Sequence, residues 1–172
     1  MLRTILAGLD GTRDSQAALA LGVRWARLYD ALLVGVVVIG EPGLHGPEEW
    51  ILGESEFMRG VHREQLHAES RKVEHVFEVA AIRCAAEGVA FKPLEDVGDP
   101  YTQILQEAQR YDLIVLSQTP HFQYGFDKQA DDTLTRVLRA GPRPVVVVPE
   151  PTGWDDVVVI AYDGSLQASR SL

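Results

Sequence analysis

Apolar residues are distributed along this chain in two alternating ways. Short continuous runs fall at 4–9, 31–39, 113–116 and Val145–Val148, a weaker, interrupted one falls at 89–97, and longer stretches between them place apolar residues three or four positions apart. A continuous run bounded by turns predicts a strand covered on both faces, and helical spacing predicts an amphipathic helix. The first run stops at the polar turn Asp10-Gly11-Thr12. Ser15 is then placed to cap a helix, with Asp14 near the positive end of its dipole. Through 17–29, Ala18, Leu21, Trp25 and Leu28 mark the face predicted to be buried. After the second run, Gly40, Pro42, Gly43, Gly46, Pro47, Gly53 and Gly60 break up any long element. Trp50-Ile51-Leu52 and Phe57-Met58 are apolar islands in this excursion. Two readings stand for it: cover for a cleft or partner contact, and a packed connection.

A long helix is predicted over 61–86, with Leu66, Val73, Phe77, Ala80 and Cys84 as its buried stripe and Gly88 as its stop. Strand 89–97 contains Pro93, which cannot donate to a ladder and therefore predicts an edge position. Gly98-Asp99-Pro100 opens a further helix with Ile104, Leu105 and Ala108 facing inward. Residues 117–130 are polar and irregular. Asp131 or Asp132 starts the last helix, which runs through Leu134, Val137 and Leu138 to Gly141-Pro142-Arg143-Pro144. Strict alternation of strand and helix predicts an α/β fold: an open five-stranded parallel sheet with helices on both faces, joined by right-handed crossovers. Ligands in such sheets bind at the carboxyl ends of the strands, where the strand order reverses. That rim carries 10–12, 39–41 and the segment from Ser117 onward.

The opening pattern returns near the end. Val157-Val158-Val159-Ile160-Ala161-Tyr162-Asp163-Gly164-Ser165 restates Ile5-Leu6-Ala7-Gly8-Leu9-Asp10-Gly11-Thr12, with Asp163-Gly164-Ser165 falling on Asp10-Gly11-Thr12. A long-period repeat is the mark of a tandem array. The expected organisation is one domain over 1–150, then a linker and the first strand of a second, incomplete copy over 151–172. A truncated tandem protein and a natural stop, with the extra strand used in a dimer, are the two readings of that ending.

Composition narrows the partners. A formal net charge of −9 repels phosphate backbones, so nucleic acid and anionic membranes are not expected partners. No apolar run reaches the roughly 20 residues of a membrane span, and the amino terminus lacks a secretory pattern, so the expected location is the cytoplasm. The single cysteine, Cys84, forms no internal disulfide and reads as a small buried apolar residue. His62, His67 and His75 lack the spacing of a metal site and read as solvated, as do Arg63, Glu64, Glu69, Arg71, Lys72 and Glu74 on the wet face of the long helix.

Four fragments, in this order and spacing, carry a resemblance that spans residues 1 to about 150. They are 5–15, ending in Asp10-Gly11-Thr12-Arg13-Asp14-Ser15; Val97-Gly98-Asp99-Pro100 leading to Ile104-Leu105; Tyr111-Asp112-Leu113-Ile114-Val115-Leu116; and Thr135-Arg136-Val137-Leu138-Arg139 with Arg143-Pro144 and Val145–Val148. The chain resembles the universal stress protein family. The resemblance implies a Rossmann-like fold of the adenine-nucleotide-binding type. It also implies pairing through the fifth strand Val145–Val148, as a homodimer or between tandem halves. By the same resemblance, Asp10, Gly11 and Thr12 would contact a nucleotide, Val38 would hold the adenine through its backbone, and Ser117 would open the phosphate loop.

ATP-binding members carry Gly-x2-Gly-x9-Gly-Ser/Thr after the fourth strand, because glycines let backbone amides approach phosphate. Here the matching positions are Ser117, Pro120 and Ala130, followed by Asp131; aligned from the helix side, the last pair is Asp131-Asp132. Gly125 does not fall on the motif. Pro120 lacks the amide donor, and like charges repel by about 1 kcal/mol in water and more when desolvated. The first expectation is therefore a non-catalytic stress-response domain that acts through dimerisation and has a degraded ATP loop. The alternatives are an ATP-binding sensor or slow ATPase, and a binder of another adenine-containing or uncharged ligand through His121, Phe122 and Tyr124. Asp10 stands alone at its strand end without a second acid or base beside it, so no catalytic residue is assigned. Neither a receiver-domain acidic pair nor a dinucleotide-binding glycine pattern is present.

Overall fold

The computed structural model describes residues 2–39, 56–122 and 132–149, with the side chains of 56–69 left aside. The elements are β1 (Thr4–Gly8), α1 (Arg13–Tyr29), β2 (Leu32–Ile39), α2 (Glu56–Ala86), β3 (Phe91–Val97), α3 (Pro100–Ala108), β4 (Leu113–Ser117), α4 (Thr133–Ala140) and β5 (Val145–Val148). All four strand pairings are parallel, in the order β3-β2-β1-β4-β5. The predicted alternation and open sheet are thus the observed ones, and β3, with Pro93, lies at an edge. The excursion over 40–55, residues 123–131 and the repeat over 151–172 lie outside the described residues, as do the side chains of Leu66, His62 and His67.

Alternate residues of each strand enter two cores. Ile5, Ala7 and Leu9 of the first strand segment join Leu33, Val37, Leu113 and Val115 beneath α1 and α2. Leu6 joins Val34, Val36, Val38, Ile114 and Leu116 beneath α3 and α4. This is the two-sided burial that continuous apolar strands demand. One glycine lets neighbouring side chains close over the middle of β2. A Cβ on Gly35 would stand 2.6 Å from Leu9 Cδ1 and 3.0 Å from the Phe91 ring, so the strand at that point tolerates no side chain without displacement.

Several local expectations change. Helix α1 begins at Arg13, and its cap is Thr12, whose hydroxyl accepts from the Ser15 amide at 3.2 Å; Ser15 instead donates its own hydroxyl to the Thr12 carbonyl at 3.0 Å. Threonine after a left-handed glycine turn (Gly11, φ 75°) is a better-placed acceptor than a residue already inside the helix. The buried residues of α1 include Ala18 and Leu21, as predicted, together with Leu19, Gly22, Val23 and Ala26, whereas Leu28 is 69% exposed. Helix α2 starts at Glu56 and includes Gly60, because a single glycine costs a helix only about 1 kcal/mol. Val73, Ala80 and Cys84 are fully buried as predicted, and burial pushes the Cys84 thiol up to about 11, consistent with an inert packed residue. Asp99 caps α3 by accepting from the Thr102 amide at 3.0 Å, with Pro100 in the first turn. Asp132 sits at the cap position of α4 but makes no side-chain cap bond.

Among the described residues, two carboxylates contribute opposite pH dependences to stability. Asp112 accepts from the Arg3 and Thr4 amides at 2.9 and 3.0 Å and from the Thr4 hydroxyl at 3.2 Å, tying β1 to the start of β4. The Arg3 amide bond comes first among the causes that hold its pKa below the ordinary 3.8, so its contribution is present above that value and lost as pH falls through the lowered one. Asp96 behaves oppositely. Its Oδ2 is buried without a hydrogen-bond partner, and burial first, then the Glu107 carboxylate, raise its value above 3.8. The folded state therefore holds this proton to higher pH than the unfolded chain, and stability falls as pH rises through the raised value. Asp96→Asn is expected to be more stable than the wild type at pH 7 by about 1 kcal/mol and to lose that part of the pH dependence. Urea midpoints measured from pH 4 to 8 check both; equal curves for the two proteins refute it.

Candidate functional site

The strand order reverses between β1 and β4. β1 leads through α1 to β2 on one side, while β4 and β5 extend the sheet on the other. The crevice outside the carboxyl ends of β1 and β4 is the position where a doubly wound sheet takes ligands. Two loops meet there: 10–12 after β1, and 118–122 after β4.

Asp10 joins them. Its Oδ1 accepts from the Thr12 amide at 2.8 Å and the Thr12 hydroxyl at 2.5 Å, a local turn of the type aspartate favours. Its Oδ2 accepts from the His121 amide at 2.6 Å, 111 residues away in sequence. One turn further on, Asp14 accepts from the Thr119 hydroxyl. The imidazole of His121 points back, with Nδ1 2.8 Å from the Thr119 carbonyl. Pro120 and Phe122 are buried. The Phe122 ring packs against the end of β1: a Cβ on Gly8 would lie 2.7 Å from its Cζ and 2.6 Å from Leu116 Cδ2. Glycine at position 8 is what lets that ring and Leu116 close over the strand.

Of the five residues expected to touch a nucleotide, Asp10 and Thr12 are bonded to each other. Gly11 is exposed, Thr12 half-buried, and Asp10, Val38 and Ser117 are 8%, 0% and 2% exposed. Val38 lies on the β3 side of β2, opposite Asp96, and Ser117 ends β4 opposite Val148. His121 and Phe122 meet the first loop, as a remodelled pocket would require; Tyr124 lies outside the described residues. Thr119 and Asp14 were not anticipated. Their pairing links residues 105 apart, and no local pattern reports such a contact.

The charge expected to oppose phosphate at the start of α4 is partly answered. Arg136 Nη1 is 3.5 Å from both Asp132 Oδ1 and Asp99 Oδ1, and its guanidinium stacks 3.9 Å from the centre of the Tyr101 ring. These contacts are half exposed and contribute little to stability, but they fix one cation at the rim. Asp131 lies outside the described residues. A groove of about 490 Å³ lined by Leu2, Trp25, Tyr29, Asp112, Leu113 and Pro144 opens at the opposite, amino end of the strands, away from this crevice. Among the described residues no cluster of three or more metal-ligating side chains occurs, and no helix is long and apolar enough to cross a membrane.

Known proteins with this arrangement were found by sequence and by structure. The profile of the universal stress protein family matches residues 1–149. No curated protein matches in sequence. Among solved structures, the universal stress protein UspA from Lactobacillus plantarum superposes with a TM-score of 0.67 at 23% identity, covering 86% of this chain and 97% of its own. The hypothetical protein MJ0577 gives 0.64 at 18% identity, with 89% and 99% covered. The Archaeoglobus fulgidus universal stress protein in complex with dAMP gives 0.55 at 14% identity, with 86% and 98% covered. At these identities the superpositions speak for the fold, which is of the type that binds adenine nucleotides in such relatives. With the profile matching nearly the whole described chain, and the sheet order, the capped turn after β1 and the two-loop crevice all in place, this chain belongs to the universal stress protein family.

Proposed function

We propose that this domain is a non-catalytic, cytoplasmic stress-response module that works through assembly, and that its own nucleotide crevice is closed to ATP. The observation that carries this reading is the Asp10–His121 bond: the carboxylate at the centre of the crevice already accepts a donor from the loop after β4. The absence of glycine at 117, 120 and 130 supports it, since the amides that would cradle a phosphate chain cannot approach as closely. Calorimetric titration of the purified chain with Mg-ATP tests it, after denaturation has shown that no nucleotide is carried along. No heat of binding at millimolar ATP is expected. Micromolar affinity would overturn the reading and make the domain an ATP sensor, or a slow ATPase.

Assembly through β5 rests on the ladder. Ile114 and Gln118 donate to the carbonyls of Pro144 and Val148, which directs the amides of Val146 and Val148 toward β4 and those of Val145 and Val147 outward. An outward row of amides is a template for another strand, from a second chain or from a second repeat over 151–172. Val147→Pro removes an outward donor and leaves the inward ladder intact. The expected result is a dimer in light scattering for the wild type and a monomer for the variant, both folded by circular dichroism; a dimeric variant would refute pairing at this edge.

A further inference from the structure

The groove at the amino ends of the strands shares no residue with the crevice described above. Its volume of about 490 Å³ is that of a small-molecule pocket. Leu2, Leu113 and Pro144 make its apolar lining, and Trp25, Tyr29 and Asp112 add two amphipathic rings and a carboxylate. Trp25 and Tyr29 stand four positions apart in α1, which places both on one face of the helix. Tyr29 is 49% exposed. Asp112 is exposed too, and its two oxygens differ in what they do. Oδ2 accepts all three donors from Arg3 and Thr4, while Oδ1 accepts none among the described residues. The Arg3 amide first, with the Thr4 groups, holds the Asp112 pKa below 3.8, so the carboxylate carries its charge at neutral pH.

The surroundings of this carboxylate favour a positive charge. Helix α1 ends at Tyr29, and its dipole puts partial negative charge at that end, beside the cap residue Asp30. Arg143 is the cation whose charge bears on Asp112, but its Nη2 donates to the Gln109 carbonyl at 3.1 Å and it forms no ion pair with Asp112. Arg27, in the last turn of α1, is held by Glu87 at 2.6 Å. The formal net charge of −9 draws cations to the chain at long range. We propose that this groove binds a small organic cation, an ammonium group carried on an apolar or aromatic body. The ammonium pairs with Asp112 Oδ1 and is attracted by the rings of Trp25 and Tyr29. The body is buried against Leu2, Leu113 and Pro144. Discrimination lies in the charge, because the apolar lining takes a neutral analogue of the same shape equally well. The inference goes beyond the closed-crevice reading and is independent of it, since neither refusal nor binding of ATP bears on this end of the sheet.

The test titrates the full chain, labelled with nitrogen-15, with 2-phenylethylammonium and with its neutral isostere 2-phenylethanol, following the indole N–H resonance of Trp25. The cation is expected to bind with a dissociation constant of about 1 mM, and the alcohol about tenfold more weakly. Asp112→Asn keeps one oxygen for the Arg3 and Thr4 donors and replaces the other with an NH2 group. It is expected to lose about tenfold in affinity for the cation and none for the alcohol. Tyr29→Ala, at an exposed helix end, is expected to lose about threefold for the cation. Equal binding of the two probes to the wild type overturns the proposal, since it would reveal an apolar groove only. Absence of any shift with the cation at about 10 mM overturns it as well. So does a folded Asp112→Asn that binds the cation like the wild type. Asp112 ties β1 to β4, so a second measurement stands independently of that variant's folding. In Tyr29→Ala and in the wild type, cation affinity is compared between about 20 and 200 mM salt. An affinity unchanged by the substitution, or unchanged by salt in the wild type, overturns the proposal.

Discussion

Replacing Asp10 with alanine is expected to destabilise the domain by about 3 kcal/mol, a large effect for a residue in a loop. The size follows from what is left behind. Three donors, the Thr12 amide, the Thr12 hydroxyl and the His121 amide, lose their acceptor at once. The site is buried enough that Asp10 itself is 8% exposed, so water does not fully replace the carboxylate. Hydrogen bonds to an ionised group contribute about 1.5–3 kcal/mol each, and the sum is reduced because Thr12 and His121 lie near the surface. Asp10→Asn keeps one oxygen and is expected to lose about half as much. Urea denaturation with unchanged slope measures both. A loss below about 1 kcal/mol for the alanine variant would mean that the two loops are held by packing alone.

The second large effect is in the sheet. Leu6→Ala is expected to cost about 3–5 kcal/mol, at the upper part of the range for buried leucines. Leu6 is fully buried on the central strand, in register with Val34 on one side and Ile114 on the other. It faces the core formed with Val36, Leu116, Ile104 and Phe122. Backbone on both sides is pinned by ladders, so the surroundings cannot collapse into the space, and the cavity term adds to the lost transfer energy. Leu28→Ala is the contrast: at 69% exposed on α1 it is expected to change stability by less than about 0.5 kcal/mol. Equal losses for the two would overturn the assignment of the buried faces.

The contrast between Leu6 and Leu28 also separates what can be read along a chain from what cannot. Both are leucines in periodic segments. Leu6 lies in an unbroken apolar run, and such a run has no wet face to choose, so its burial is legible at once. Leu28 belongs to a helix whose apolar positions allow two adjacent faces. Only contact with the sheet decides that Leu19, Val23 and Ala26 turn inward instead. The cap shows the same limit at shorter range. Thr12 and Ser15 are both good capping residues, and the left-handed turn at Gly11 settles which one is outside the helix.

The site divides in the same way. Asp10-Gly11-Thr12 at the end of an apolar strand, the missing glycines after β4 and the odd pair His121-Phe122 are all visible in the sequence, because each is a local choice of residue type. Their meeting is not. The bond from His121 to Asp10 spans 111 residues, and that from Thr119 to Asp14 spans 105. Such contacts depend on the order β3-β2-β1-β4-β5, which sets β4 beside β1 and brings the two loops to one crevice. The sequence by itself determined the class of fold, the number of strands in the sheet and the family, since these follow from periodicity, turn chemistry and motif order. Only the tertiary structure decided that the crevice is occupied by the chain's own Phe122, because close packing over Gly8 is a property of two strands brought side by side and of neither one alone.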